Sequence, residues 1–431
     1  MKLLIKGGKV VNPATGVEAY LDILVKGDKI EQIGEDLVID KDTEIIDAKD
    51  KLVVPGLIDM HVHLREPGFE DKEDIASGTR SAAQGGFTSV ACMPNTNPVI
   101  DSQTVVEFIK AKAAREGVVN VYPIGSITKG LDGKQITEVA YLCKAGIVAL
   151  SDDGKPVMNS DVMRRALEYS KMFNLPIISH CEDQNLAADG VMNESYMSTV
   201  LGLKGIPSAA ESVMIARDLI LAEMVGAPLH IAHISAKESV ELIRKAKEKG
   251  VKVTAEATPH HFTLTEEAVA SFDTATKVNP PLRGQADLEA IKEGLKDGTI
   301  DVIATDHAPH TKEQKSVEYM YAPFGMVGLE TALPLVLTQL VKPGVLNLQD
   351  ALAKLTINPA KILGLTNKGS LEPGKDADIT IIDLEKEFIV DKEKLASKGK
   401  NTPFHGRYLK GKAVRTIVGG KTVMLEGKIF L

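Results

Sequence analysis

One pattern constrains this chain more than any other: an alternation repeated eight times through its middle. The apolar β runs LVVPGLIDMHVH, FTSVACMPN, VNVYPIGSIT, GIVALSDDG, PIISHCED, PLHIAHIS, VKVTAEATPHH and DVIATDHAPH are separated by segments of helical spacing. Examples of the latter are SQTVVEFIKAKAAREG, SDVMRRALEYSKMFN and KESVELIRKAKEKG. Several of these close on Gly or Asn, as a helix C-terminus does. Near-continuous apolar runs suit parallel strands buried on both faces. Eight βα units in about 300 residues predict an α/β protein built on a (β/α)8 TIM barrel. The competing open, doubly wound sheet would carry a Gly-rich phosphate turn after its first strand, and none is present.

The two ends read differently. Residues 1–54 contain short β segments (KLLIKGGKVV, LDILVKGDKIEQIG, TEIIDAKDKLVV), and the C-terminal part repeats the style in DADITIIDL and AVRTIVGGKTVMLEGKIFL. Hairpin turns rich in lysine and glycine join these segments. The expected organisation is therefore a small β-sandwich domain formed from both termini, residues 1–54 with 366–431, around a barrel of residues 55–365. At 431 residues and 44% hydrophobic content, the chain can bury a large core. A net charge of −8 gives no basic footprint for nucleic acid, and no apolar run approaches the ~20 residues of a membrane span. The first residues read as a strand and a turn, not as a leader peptide. Three cysteines, Cys92, Cys143 and Cys181, at unrelated spacings point away from a disulfide framework and towards a reducing, cytoplasmic setting.

In a barrel, chemistry belongs at the C-terminal ends of the strands. There the sequence places His61 and His63 on the first strand, Ser151, Asp152 and Asp153 on the fourth, and His180 on the fifth. His233 lies on the sixth strand, and Asp306, His307 and His310 lie on the eighth. Residues i and i+2 of a strand share a face, so His61 and His63 can chelate one ion, and Arg65 keeps the same parity. Asp152 and Asp153 face opposite ways, so one of them points into the site. A carboxylate there can bridge two cations, with His180 and His233 completing a second position. Imidazole and carboxylate together favour zinc, with manganese or cobalt as alternatives. The remaining candidates have plainer readings. His230, His307 and His405 are expected to be structural or to face away. Cys181 is expected to be an inert buried thiol. His260 and His261 are open between orienting a ligand and packing.

The ordered set DMHVHLREPG, MPNTNP, SDDG, SHCED, HIAHIS, EATPHHF, NPPLR and ATDHAPH resembles the class I dihydroorotases of the amidohydrolase superfamily, over nearly the whole chain. Related cyclic amidases use a carboxylated lysine from the fourth strand. Here that strand, GIVALSDDG, has no lysine; Lys144 precedes it and Lys155 follows it. The resemblance implies two zinc ions bridged by Asp153, with His61, His63 and Asp306 on one and His180 and His233 on the other. It implies a substrate site of Arg65, Asn95 and His310 around a carboxylate, Asn279 on the ring amides, and backbone groups near Pro323 and Gly325. The polar stretch from His310 to Phe324 reads as a mobile loop over that site. The implied reaction is the reversible cyclisation of N-carbamoyl-L-aspartate to L-dihydroorotate in pyrimidine (UMP) biosynthesis, by a shared hydroxide with Asp306 as base and then acid. The alternatives are another cyclic amidase (dihydropyrimidinase-, hydantoinase- or allantoinase-like) and a non-catalytic homologous partner subunit. The resemblance leaves room for a homodimer and for association with aspartate carbamoyltransferase.

Overall fold

The structure, a computed structural model, describes residues 2–430. Eight short parallel strands form the barrel: Leu57–Val62, Phe87–Cys92, Asn120–Pro123, Leu150–Ser151, Ile177–Ser179, Leu229–Ile231, Val253–Ala257 and Val302–Ile303. The first three pair in one ladder and the last five in another. Parallel bridges from Gly125 to Leu150 and from Val62 to His307 join the two ladders and close the ring. Apolar side chains dominate these buried strands, with polar exceptions such as Asp59, His61, Ser89 and His230, which is why the runs read as near-continuous rather than alternating.

Each strand is followed by a helix on the outside of the ring. The helices Ile75–Gly85, Gln103–Glu116, Ser160–Met172, Ala209–Val225, Lys237–Glu248 and Gln285–Asp297 are the longest. Lys237–Glu248 shows the logic. Val240, Ile243 and Ala246 fall on one face and are buried against the strands, while the lysines and glutamates face water. Fully burying a side chain such as Ile243 contributes roughly 1.5–3 kcal/mol. Asp74 starts the first helix by accepting the Ser77 amide, and Ser77 Oγ accepts the Asp74 amide in return.

The terminal segments form one hydrogen-bonded sheet of nine strands, with Leu52–Pro55 pairing both Lys2–Asn12 and Ile379–Ile389. It encloses its own core of Leu3, Ile5, Ile23, Val25, Ile379 and Ile417, separate from the barrel core. The β-sandwich on a TIM barrel expected from the sequence is the observed class. The hairpin turns contain Gly27, Gly419 and Gly420 at positive φ. Gly56 is the joint between the two cores. A Cβ there would lie 2.1 Å from Thr88 Oγ1, so the backbone crosses from sheet to barrel only with glycine. No helix among the described residues is long and apolar enough to cross a membrane.

Candidate active site

At the C-terminal mouth of the barrel lies a cavity of about 210 Å³. Its walls include His63, Arg65, Asn95, Asp153, His180, His233, Asn279, Asp306, His310 and Gly325. Of the twelve residues expected there, His61 sits just beneath the floor, completely buried, and Pro323 stands one step back from the wall. Phe324 and Gly325 form the wall at that point, while the Pro323 carbonyl accepts from Lys315 Nζ at 2.7 Å.

His61 and His63 come together as their spacing requires, with ring centroids 5.6 Å apart. His61 donates through Nδ1 to Glu256 Oε1 at 2.5 Å. Nε2 therefore carries the bare lone pair, and it makes no hydrogen bond. It faces Asp153 Oδ1 at 3.4 Å and Asp306 Oδ1 at 3.5 Å. A buried lone pair pointed at two carboxylate oxygens calls for a positive charge between them. Burial opposes a charge on His61, yet Glu256 and Asp153 outweigh it and push the pKa well above the ordinary value, so the position at Nε2 favours a cation, whether a proton or a metal ion. Two groups could hold a metal ion: His61 with Asp153 and His233, and His61 with His63 and Asp306. Asp153 turns Oδ2 towards His63 Nε2 (3.5 Å) and Oδ1 towards His180 Nδ1 (3.6 Å) and His233 Nε2 (3.8 Å). The donor set and the unsatisfied imidazole nitrogens fit a cation, so the site is a metal site by its chemistry.

Asp152 resolves the choice between the adjacent aspartates. It points away from the cavity and accepts the Ile127 and Thr128 amides at 2.7 and 3.0 Å, with a further bond from Thr128 Oγ1. This fixes the start of the loop after the third strand. Asn95 links two site residues, accepting from His63 Nδ1 (2.9 Å) and donating to Asp153 Oδ2 (3.2 Å). Asn279 donates to Glu182 Oε1 at 2.9 Å.

Arg65 reaches the cavity, but not by the strand alternation expected of it. The first strand ends at Val62, and Arg65 has φ 61°, so a turn rather than strand alternation brings the guanidinium to the cavity. His233 (φ 29°) and Asp306 (φ 49°) also have left-handed backbone. Non-glycine residues pay for such conformations, and the cost concentrates at functional sites. Arg65 Nε donates to the Pro309 carbonyl at 3.3 Å, and no carboxylate among the described residues pairs with the guanidinium. Burial lowers its pKa to about 10, which leaves it cationic at neutral pH. Burial, with Arg65 and Lys315 nearby, pushes His310 down to about 3, so its imidazole is neutral. His310 Nε2 lies 2.8 Å from the Phe324 carbonyl oxygen.

The stretch after His310, expected as a mobile loop, is tied down in this conformation. A short helix spans Lys312–Lys315, and Tyr319 is buried. Lys277 Nζ donates to the Tyr319 and Met320 carbonyls at 2.9 and 2.8 Å and sits over the Phe324 ring.

Two family models match the chain, one described as dihydro-orotase-like over residues 50–239 and one as the amidohydrolase family over residues 224–424. A curated dihydroorotase from Pelotomaculum thermopropionicum is 61% identical, covering 99% of this chain and 99% of its own length. The chain belongs to the dihydroorotase family. A second member, the dihydroorotase of Acetivibrio thermocellus, is 59% identical over 98% of this chain and 99% of its own. Membership makes the chain a cyclic amide hydrolase acting on a small molecule. Among solved structures, the L-hydantoinase of Arthrobacter aurescens superposes with a TM-score of 0.90 at 28% identity, covering 100% of this chain and 97% of its own. The dihydropyrimidinase of Brevibacillus agri, 24% identical, shares the fold with a TM-score of 0.88 over 100% of this chain and 96% of its own.

The plainer readings are placed as follows. His307 is buried away from the cavity, with Nε2 3.3 Å from Glu73 and Nδ1 accepting the Gly328 amide. His230 bridges Thr254 and Glu256, and His261 bridges Thr258 and the Pro280 carbonyl. His260 is buried with Nε2 unpartnered. His405 accepts the Lys392 amide near the surface. Cys181 is buried, and burial raises its thiol pKa well above the ordinary value. Sequence reasoning missed Glu256, Glu182 and Asn401. A lone glutamate inside the apolar run VKVTAEATPHH was a readable signal for the first.

Proposed function

We propose that this chain interconverts N-carbamoyl-L-aspartate and L-dihydroorotate, the ring-closing step of pyrimidine biosynthesis. The observation that carries the substrate choice is Arg65, a guanidinium at the cavity with no ion-pair partner among the described residues. It suits a substrate carboxylate, which dihydroorotate has and dihydropyrimidines and hydantoins lack. A lysine-free cavity wall, with Lys155 exposed, supports the same choice.

His61, His63 and Asp306 would hold one zinc ion, His180 and His233 a second, and Asp153 would stand between them. Such cations polarise an amide carbonyl and lower the pKa of water, supplying a nucleophile near neutral pH. The chain's own residues do the rest. Arg65, Asn95 and the neutral His310 hold the substrate carboxylate, Asn279 meets the ring amides, and backbone groups at Pro323 and Gly325 close the far side. Asp306 uses Oδ1 on His63 Nε2 (3.0 Å), and Oδ2 makes no hydrogen bond to described residues. In ring opening that oxygen takes the proton of the attacking water and passes it to the leaving amide nitrogen; ring closure reverses the transfer. We propose residues 1–54 with 366–431 and residues 55–365 as the two domains. A homodimer, an association with aspartate carbamoyltransferase and a cytoplasmic location complete the reading, each by family likeness alone.

The test is a parallel assay of zinc-loaded protein on L-dihydroorotate and dihydrouracil. Turnover of dihydroorotate should exceed that of dihydrouracil by about 10³ in kcat/KM, because the latter leaves Arg65 unpaired. Equal turnover, or preference for dihydrouracil, refutes the substrate reading. Asp306→Asn that keeps its zinc and near-full activity refutes the proton transfer.

A further inference from the structure

Asn401 lies in the C-terminal part of the chain, on the excursion between the strands Ile379–Ile389 and Tyr408–Val418. It is only 5% exposed, and both polar atoms of its side chain are engaged with the rim of the cavity. Nδ2 donates to the carbonyls of Ala308 and Gly325, each at 3.0 Å. Oδ1 accepts the His310 amide at 3.1 Å. Its own carbonyl accepts the Val327 amide at 3.0 Å. Ala308, His310 and Gly325 all line the cavity. One carboxamide thus acts as a clip that extends the join between two stretches, the turn after the eighth strand and the returning wall at Gly325, beyond the single bridge at His307 and Met326 where their backbones pair.

We propose that Asn401 is a positioning residue, through which the terminal β region sets the width of the substrate end of the cavity. The packing around it leaves little slack. A Cβ on Gly325, whose φ is 130°, would lie 2.8 Å from Ala308 Cβ and 3.1 Å from His310 Nε2. A Cβ on Gly399 would lie 2.6 Å from Pro309 Cβ. Pro309 in turn gives its carbonyl to Arg65 Nε. With Asn401 in place, the His310 ring and the Gly325 backbone are held face to face, and Arg65 has a fixed anchor. Without it, two carbonyls and one amide are buried unpaired, and the rim relaxes by taking in water. The effect falls on substrate binding, because the groups that move touch the proposed substrate and not the residues proposed to hold metal. This consequence rests on the substrate reading above; the clip itself does not.

The experiment uses the full-length, zinc-loaded protein with two substitutions. Asn401→Ala should raise KM for L-dihydroorotate about tenfold while kcat changes less than about threefold and zinc content stays the same. Hydrogen exchange at the His310 amide should accelerate, with the Val327 amide as internal reference because its acceptor is the unchanged Asn401 carbonyl. Asn401→Asp keeps the acceptor for His310 but turns an oxygen towards two carbonyls. It should leave His310 exchange slow and still raise KM, and it carries the test if the alanine variant does not fold. A fall in Tm with unchanged KM and unchanged His310 exchange in folded protein overturns the proposal, since that is what a merely structural residue does. Should the parent fail to turn over dihydroorotate, the substrate reading falls, and His310 exchange alone then decides for or against the clip.

Discussion

Glu256 offers the sharpest perturbation, because its surroundings allow its charge to be removed without removing its hydrogen bonds. It is completely buried and takes bonds from His61 Nδ1 (2.5 Å) and the His233 amide (3.2 Å) on Oε1, while Oε2 lies 3.1 Å from His230 Nε2. Burial works against its charge, but His61 and His230 overcome that and hold its pKa well below the usual range. In Glu256→Gln, the amide oxygen can keep both Oε1 bonds. The new NH2 meets His230 Nε2, which can accept once His230 donates through Nδ1 to Thr254 Oγ1 at 2.8 Å. Only the charge is lost. A carboxylate behind a metal-binding imidazole raises its basicity, and losing such a partner typically costs 10–100-fold in metal affinity, about 1.4–2.7 kcal/mol. Glu256→Ala instead strands the His61 N–H and leaves a cavity, costing roughly 3 kcal/mol or more of stability. The assay is zinc competition against a chelator on metal-stripped protein, with calorimetry alongside. Zinc affinity within about threefold of the parent for Glu256→Gln refutes the electrostatic account. A glutamine variant as destabilised as the alanine variant refutes the tautomer exchange at His230.

Arg65→Met should raise KM for L-dihydroorotate about 10–100-fold with little change in bound zinc, as loss of a charged hydrogen-bond pair predicts; steady-state kinetics with metal analysis checks it. Asp74→Ala removes one side of a capping box and should lower unfolding free energy by about 1 kcal/mol, read by denaturant titration at unchanged m-value. Glu73 has its pKa lowered: burial opposes its charge, but His307, Ser397 and Ser77 outweigh that. Its stabilisation is therefore full above the ordinary carboxyl range and is lost as pH falls through and below about 4.3, where the unfolded chain binds the extra proton. Unfolding free energy should fall on acidification in the parent and less steeply in Glu73→Gln; parallel acid profiles refute this.

Much of the site was legible because strand-end chemistry obeys local rules. His61, His63, His180 and His233 stand out from apolar runs, and their convergence follows once eight βα units close a ring. The choice of Asp153 over Asp152 was legible only as an alternation; the amides of Ile127 and Thr128 decide it by claiming Asp152. Arg65 reaches the cavity wall by a left-handed backbone, where the sequence suggests strand parity. The short strands explain the difference: Leu150–Ser151 and Val302–Ile303 end before Asp153 and Asp306, so period-two reasoning runs out where the chemistry begins.

The sequence by itself determined the barrel, the division between terminal sheet and barrel, and the types of residue gathered at the strand ends. Those follow from the periodicity of burial, which every strand and helix carries in its own few residues. Only the tertiary structure decided how those residues are held: Glu256 beneath His61, Glu182 beside Asn279, and Asn401 across the rim. Asn401 is 91 positions from His310. No local pattern encodes a hydrogen bond over that distance, because its partners meet only after the ring has closed and the C-terminal strands have returned to pair with Leu52–Pro55.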